Sequence, residues 1–289
     1  MKVLVIIVSY NFERWISRCL GSLRESSLLV DTIVIDNDSK DRTTDIIETD
    51  YPEVRLIKAG ENLGFGRANN IGMKIALDEE YDFAFLLNQD AWIDQETIGT
   101  LVSTSMKHPE YGILSPVHLT GKGDALDKGF AEYTDEENKE KCMSQKEEIV
   151  SVPFINAAFW MLPRRTLETV GGFSPLFYHY GEDIDYAHRV KYHEMKVGYV
   201  PAIWGCHDRA ERQKPIGEAF FHSEFVYHLS EYANVNYSFS KAFAYGVLAC
   251  LKKMMKDTHY ASVWWKLIKK SMQTINTRKI NRRKYRNHI

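Results

Sequence analysis

Three short polar segments carry most of the chemistry available to this chain. Asn88-Gln89-Asp90 follows the apolar run Phe83–Leu87, and Glu182-Asp183-Ile184-Asp185 follows the aromatic run Phe177-Tyr178-His179-Tyr180 and a glycine. His207 lies in Trp204-Gly205-Cys206-His207-Asp208-Arg209, on a polar loop expected directly after a strand. Carboxylates and an imidazole are ligand types that Mg²⁺ or Mn²⁺ accepts when it neutralises a diphosphate. Asp90 is the candidate ligand; its structural alternative is a cap for the helix starting near Gln95, a role for which Asp94 is better placed. The cluster at Glu182 offers a general base for an attacking hydroxyl, beside rings that can lie on a sugar. Acids favoured by a helix dipole are the plainer reading of the same residues. A lone histidine is more often structural than ligating, although a loop after an apolar strand turns His207 towards a cleft. Arg209 and Arg212 are either diphosphate contacts or surface charges.

The elements that must position these residues alternate through the first 116 positions. Lys2–Tyr10 is a continuous β-branched run, as in a strand covered on both faces. Trp15, Ile16, Cys19, Leu20 and Leu23 recur at helical spacing. Strands are expected at Thr32–Ile35, Val54–Lys58, Phe83–Leu87 and Ile113–Ser115, with helices over Asp41–Glu48, Arg67–Leu77 and Gln95–Lys107. This alternation predicts an α/β fold with a doubly wound, mostly parallel sheet, whose ligand lies beyond the carboxyl ends of the strands. Ser9-Tyr10-Asn11, Asp36-Asn37-Asp38 and Asn88-Gln89-Asp90 all stand at such ends. Residues 121–148 are charged and read as an exposed insertion. Helices are expected over Arg164–Val170 and Glu182–Glu194, a strand over Val197–Val200, and helix beyond Glu218. The expected division is a catalytic unit over 1–218, with halves 1–116 and 117–218, and a helical region over 219–289.

The 289 residues suffice for one large domain with an addition or for two small domains, and 44% hydrophobic with 26% charged residues is an ordinary globular balance. Cys19, Cys142, Cys206 and Cys250 form no C-x-x-C pair, which argues against a thiolate zinc site or a disulfide framework. Asn62-Leu63-Gly64-Phe65-Gly66-Arg67 follows the third strand and lacks dinucleotide-fingerprint spacing, and no G-x-x-x-x-G-K-[ST] loop occurs. No signal peptide or spanning helix is evident, so a cytoplasmic protein is expected.

These residues together resemble glycosyltransferase family 2, an inverting family with the GT-A fold, and most closely its bacterial rhamnosyltransferase-like branch. The resemblance runs from Val3 to about Arg212 through five ordered blocks: Val8-Ser9-Tyr10-Asn11; Val34-Ile35-Asp36-Asn37-Asp38-Ser39; Asn62-Leu63-Gly64-Phe65-Gly66 with Asn69-Asn70-Ile71-Gly72; Leu87-Asn88-Gln89-Asp90; and Gly171-Gly172-Phe173 leading to Gly181-Glu182-Asp183-Ile184-Asp185. It implies a nucleotide-sugar donor held by Ser9, Tyr10, Asp36, Asn37, Asn88, Gln89 and Asp90. Asp183 would be the catalytic base, Asp90 and His207 the metal ligands, and Trp160, Tyr180 and Glu182 the acceptor contacts. Where relatives carry D-x-D this chain has Asn88, so one carboxylate carries more of the metal binding. Arg189 receives no role. The implied reaction moves a sugar from dTDP-rhamnose or a UDP-sugar to a glycan or a polyprenyl-diphosphate-linked acceptor in surface polysaccharide synthesis. A non-catalytic nucleotide- or glycan-binding relative is the alternative. A sugar-nucleotide pyrophosphorylase would need a Gly-rich basic loop where Ser9-Tyr10-Asn11-Phe12-Glu13 stands.

Charge is distributed unevenly. Lys252 to Ile289 carry 12 Lys or Arg against one acid, Asp257, for a net +11, while residues 1–251 carry 25 against 38, for −13. Trp264, Leu267, Ile268, Met272 and Ile275 share one helical face, with Lys266, Lys269, Lys270 and Gln273 outside it, and Arg278 to Arg286 extend the positive charge. Such a helix suits the cytoplasmic face of an anionic membrane; packing on the catalytic unit or on a second copy in a homodimer is the equal alternative. No nucleic acid is expected among the partners.

Overall fold

The computed structural model describes residues 1–209, 215–284 and 288–289. Arg212 and Arg286 therefore lie outside the described residues. The first half runs β1 (Val3–Ser9), α1 (Ile16–Arg24), β2 (Asp31–Asp36), α2 (Thr43–Asp50), β3 (Arg55–Lys58), α3 (Gly64–Asp78) and β4 (Phe83–Asn88). β3, β2, β1 and β4 lie side by side and parallel, and β1 at their centre is covered on both faces. The β-branched run at the N-terminus suits that burial, since such side chains lose little freedom on a pleated surface.

The second half supplies the antiparallel members of the expected mostly parallel sheet. It runs β5 (Ala91–Ile93), α4 (Thr97–Lys107), β6 (Tyr111–Thr120), α5 (Lys128–Thr134), α6 (Lys139–Met143), β7 (Val150–Val152), β8 (Phe159–Pro163), α7 (Arg164–Val170), α8 (Glu182–Tyr192) and β9 (Lys196–His207). β8 inserts antiparallel between β4 and β6, β9 runs parallel to β6, and β5 and β7 pair antiparallel with β9. The sheet is thus mixed, and the part formed by β3, β2, β1 and β4 is wholly parallel. Strand β5 escapes a periodicity reading because three residues are too few to show one. β9 continues through His207, so His207 ends a strand and does not lie on a loop. The insertion over 121–148 is also not fully exposed, because Phe130 and Cys142 are buried in the main core.

Beyond residue 217 the chain is helical: α9 (Glu218–Ala233), α10 (Phe239–Phe243), a π-helical turn over Ala244–Leu248, α11 (Ala249–Met254) and α12 (Tyr260–Asn281). Val263 and Leu267 of α12 are fully buried with Leu229 and Tyr232 of α9 and with Leu176 and Phe177 of the catalytic unit. Part of the apolar stripe read from sequence therefore packs on protein. Arg278 belongs to this packing too. Its guanidinium donates to the carbonyls of Tyr232, Asn234 and Tyr237, satisfying carbonyls that end or follow α9, so it adds no surface charge.

Candidate active site

Ser9 of β1 is level with Asp36 of β2, and Val8 with Asn88 of β4, so three adjacent strands end at one crevice. Inside it the Ser9 hydroxyl donates to Asp36 Oδ1 at 2.8 Å, and the Ser39 backbone N–H donates to Oδ2 at 3.0 Å. Asn37 donates to the Gly64 carbonyl and accepts from the Leu63 N–H, both at 3.3 Å. Ser9, Asp36 and Asn37 are buried, and these hydrogen bonds use their polar atoms to brace the crevice. Gln89 likewise clamps the Tyr10 backbone, accepting from its N–H at 2.8 Å and donating to its carbonyl at 3.1 Å. Tyr10 itself remains 46% exposed at the mouth of the crevice.

The glycine-containing block supports this region by close approach. Gly64 opens α3 at φ +77°, and a Cβ there would stand 2.4 Å from the Tyr178 carbonyl oxygen. That contact holds the start of α3 against the segment leading to α8. Asn70 reinforces it by accepting from the Phe173 N–H at 2.7 Å and donating to the Phe173 carbonyl at 2.9 Å.

Pairing of β5 with β9 sets Ala91 opposite His207, which brings Asp90 and His207 together. Asp90 Oδ1 and His207 Nε2 are 3.2 Å apart, and Asn88 Nδ2 is 3.4 Å from the same nitrogen. Burial pushes the Asp90 carboxyl up, but the hydrogen bond and charge of His207, with Arg209 adding to them, hold it below its ordinary value. Asp94 accepts from the Glu96 N–H at 3.1 Å in the turn before α4, and no side chain caps that helix. Two ligand atoms at 3.2 Å match neighbouring positions around one small cation with bonds of ~2.1 Å. Asn88 Oδ1 is buried without a partner, which offers a third candidate ligand atom, a second oxygen, on the side chain whose Nδ2 approaches His207. Among the described residues no group of three or more His, Cys, Asp or Glu forms a metal cage. A cation here would complete its shell with phosphate oxygens and water, as Mg²⁺ usually does.

The acidic cluster starts α8. Gly181 caps it at φ +83°, following Tyr180 at φ +67°, and a Cβ on Gly181 would lie 2.6 Å from Val226 Cγ1. Asp183 is half-buried, and its Oδ1 accepts from the Ile184 N–H at 2.9 Å. Burial raises the Asp183 carboxyl, against the pull of backbone donors and of Arg209. Glu182 is buried, its Oε2 has no partner, and burial together with the charge of Asp183 pushes it up to about 8. Burial and the adjacent Asp183 charge therefore favour the protonated form of Glu182 at neutral pH. Asp185 faces the other way, into the core, where it pairs with Arg189 at 2.9 Å. Arg189 also donates to the Val170 and Gly172 carbonyls, which gives it the structural role the sequence left unassigned.

Trp160 is corrected outright. It is fully buried, its Nε1 donates to the Ile155 carbonyl at 3.1 Å, and its ring stacks on Phe173. Its position opposite Leu86 in the β8–β4 ladder turns it into the core, where no acceptor reaches it.

A cavity of about 1440 Å³ joins Asn88 and His207 to Tyr180, Glu182 and Asp183. A smaller one of about 330 Å³ lies on the other side of Asn88 and His207 and includes Asp90, Arg14, Trp15 and Asp208. Trp15 Nε1 donates to Asp208 Oδ2 at 3.0 Å, so the α1 approach closes over this end. The sequence reading missed Arg14 and Asp208 here. It also missed Tyr133 and Phe154 in the larger cavity, because their elements are short and distant in sequence.

A parallel half ending in polar residues, joined to an antiparallel addition that delivers acids to the same crevice, defines a glycosyltransferase of the GT-A class. The chain belongs to glycosyl transferase family 2, whose model matches residues 4–171. It is 23% identical over 233 residues to the low-salt glycan biosynthesis hexosyltransferase Agl10 of Haloferax volcanii, covering 78% of this chain and 71% of that one. It is 25% identical over 235 residues to the N-acetylglucosaminyl-diphospho-decaprenol L-rhamnosyltransferase of Mycobacterium tuberculosis, covering 71% and 76%. The structure of GalNAc-T7 with UDP, GalNAc and Mn²⁺ superposes with a TM-score of 0.58 at 16% identity, over 89% of this chain and 54% of that one, a likeness of fold alone.

Proposed function

We propose that the chain is an inverting, metal-dependent glycosyltransferase that uses a nucleoside-diphosphate sugar. The observation that carries this reading is one cavity in which Asp183 and Glu182 share the floor with Asn88 and His207. The acceptor hydroxyl oxygen attacks the anomeric carbon as its proton passes to the Asp183 carboxylate. The bond from that carbon to the diphosphate breaks, and the nucleoside diphosphate leaves. Asp90 and His207, with Asn88, would hold a divalent cation, which supplies charge neutralisation to the departing diphosphate. Arg14 and Arg209 line the same end and add positive charge. Protonated Glu182 orients the acceptor beside Asp183 without adding a second negative charge. Tyr10 offers a ring for the base of the nucleotide.

The mycobacterial relative acts in rhamnosyl transfer to a diphospho-decaprenol-linked sugar, and the GalNAc-T7 structure holds UDP. These favour dTDP-rhamnose or a UDP-sugar as donor and a lipid-linked saccharide as acceptor, in surface glycan synthesis. Peripheral attachment to the cytoplasmic leaflet is part of this reading. It is supported by the outer face of α12, where Trp265 (58% exposed) and Met272 (70% exposed) alternate with Lys269 and Lys279.

Asp183→Asn tests the assignment. The turnover of a transferable donor–acceptor pair should fall by about 10²–10⁴-fold, while stabilisation by dTDP or UDP with Mn²⁺ stays within error of wild type. Near-normal turnover in this variant would remove Asp183 as the base.

A further inference from the structure

The large cavity runs from Asn88 and His207 past the acidic pair, and its second wall comes from outside the family-matched segment. Ligand pockets are commonly about 300–1,000 Å³, against about 1440 Å³ here. Glu218, His222 and Val226 line it from α9, and Thr258, Ser262 and Lys266 line it from the start of α12 and the residues before it. The α9 set follows an i, i+4, i+8 row, which is one face of that helix, while Ser262 and Lys266 are an i, i+4 pair on α12 with Thr258 in the turn before it. Phe221 and Tyr227 widen the α9 wall, and Tyr180 and Phe154 line the same cavity.

Charge on this second wall is one-sided at Lys266. Lys253 nearby is neutralised by Glu224 at 2.5 Å, His259 leans on Asp257 at 2.8 Å, and Arg209 across the cavity lies 3.5 Å from Asp127. Lys266 has only the Phe225 ring, 5.9 Å away, and no carboxylate among the described residues pairs with it. Glu218 is the acid on the α9 side, at the other end of its row. Tyr180 adds a second signal. It is a non-glycine residue held at φ +67° beside the catalytic carboxyls, a strain that proteins keep where a side chain must be presented.

We propose that the α9–α12 wall is an acceptor subsite for a saccharide bearing a phosphate or diphosphate, with Lys266 as the phosphate contact and Tyr227 and Phe221 as the platform for the sugar. Deepening the transferase reading on which it rests, this assigns acceptor selection to residues beyond 217. A sugar ring laid on the aromatic face turns its hydroxyl edge towards Asp183, and the anionic end points out along α12. Trp265, one residue away on the exposed face of the same helix, aligns the cavity mouth with the surface that would meet lipid.

The test uses the full chain saturated with UDP or dTDP and Mn²⁺, so that the donor side is filled. Two probes are titrated, undecyl-diphospho-N-acetylglucosamine and octyl β-N-acetylglucosaminide, against wild type, Lys266→Ala, Lys266→Arg and Tyr227→Ala. Wild type should bind the diphosphate probe at least tenfold more tightly than the glycoside. Lys266→Ala should lose about tenfold on the diphosphate probe alone, Lys266→Arg should retain most of it, and Tyr227→Ala should weaken both. Equal binding of the two probes, no binding of either, or indifference to Lys266→Ala overturns the subsite. The nucleotide-induced thermal shift is read separately. If it persists in those cases, the transferase reading stands and the subsite alone fails; its absence in wild type sinks the transferase reading itself.

Discussion

At the scale of single residues, the site is defined by unequal carboxylates. Asp90 is held below its ordinary value by His207, as suits a group that stays charged against a cation. Glu182, a few residues into the other half of the site, is pushed to about 8 by burial and by Asp183. Between the ordinary glutamate value and about pH 8, the folded chain keeps a proton that the unfolded chain has lost. The contribution of Glu182 to stability therefore falls as pH rises through that window and levels off above it. Glu182→Gln removes this dependence, so its melting temperature should gain on wild type steadily from pH 5 to pH 8. A difference between the two proteins that stays flat with pH would show that Glu182 is not perturbed. For Asp90 the expected outcome concerns the cation: Asp90→Ala should raise the Mn²⁺ concentration needed for nucleotide-induced stabilisation at least tenfold. Calorimetric titration of Mn²⁺ in the presence of UDP measures it, and an unchanged requirement would exclude Asp90 as a ligand.

At the scale of elements, the site depends on how α8 is anchored. One turn of α8 presents Asp183 to the cavity, and the residue two further on, Asp185, pairs with Arg189 inside the core. Removing one partner leaves an uncompensated buried charge, which costs about 3–5 kcal/mol. Arg189→Ala should lower stability by that amount in urea denaturation, with the loss shared by the carbonyls of Val170 and Gly172 that it satisfies. Trp160 supplies the contrast. Because it stacks on Phe173 beneath the site, Trp160→Ala should cost about 3–5 kcal/mol, as large-to-small core changes do. Trp160→Phe should fold and leave the acceptor KM unchanged; a marked rise in KM for this variant would return Trp160 to the acceptor site.

At the scale of the whole molecule, the helical region both completes the cavity and carries the positive charge. Val263 and Leu267 pack α12 against α9, Leu176 and Phe177, so deletion of the tail would test folding before it tested membrane binding. The informative change is on the outer face. Trp265→Ser with Met272→Ser should leave the melting temperature close to wild type and reduce flotation with anionic liposomes several-fold, more so at raised ionic strength. Undiminished flotation would show that this face does not meet lipid. No described helix is long and apolar enough to cross a bilayer, so attachment of this kind would be at the surface.

The sequence by itself determined the donor-side half. Its strands are continuous apolar runs and its helices are periodic, so β1 to β4 are legible from local pattern, and parallel neighbours bring their polar ends to one crevice. The resemblance carried by Asn88-Gln89-Asp90 and Glu182-Asp183 was legible for the same reason, since each motif is local. Tertiary structure alone decided how those polar groups are held. Ser9, Asp36 and Asn37 brace one another, Trp160 turns into the core, and Arg278 caps α9 with its charge buried. It also decided the meeting of Asp90 with His207, which depends on the three-residue strand β5 pairing across more than a hundred positions. Long-range pairing and the direction of a half-buried side chain leave no period in a sequence, and they are what turned five separate motifs into one site.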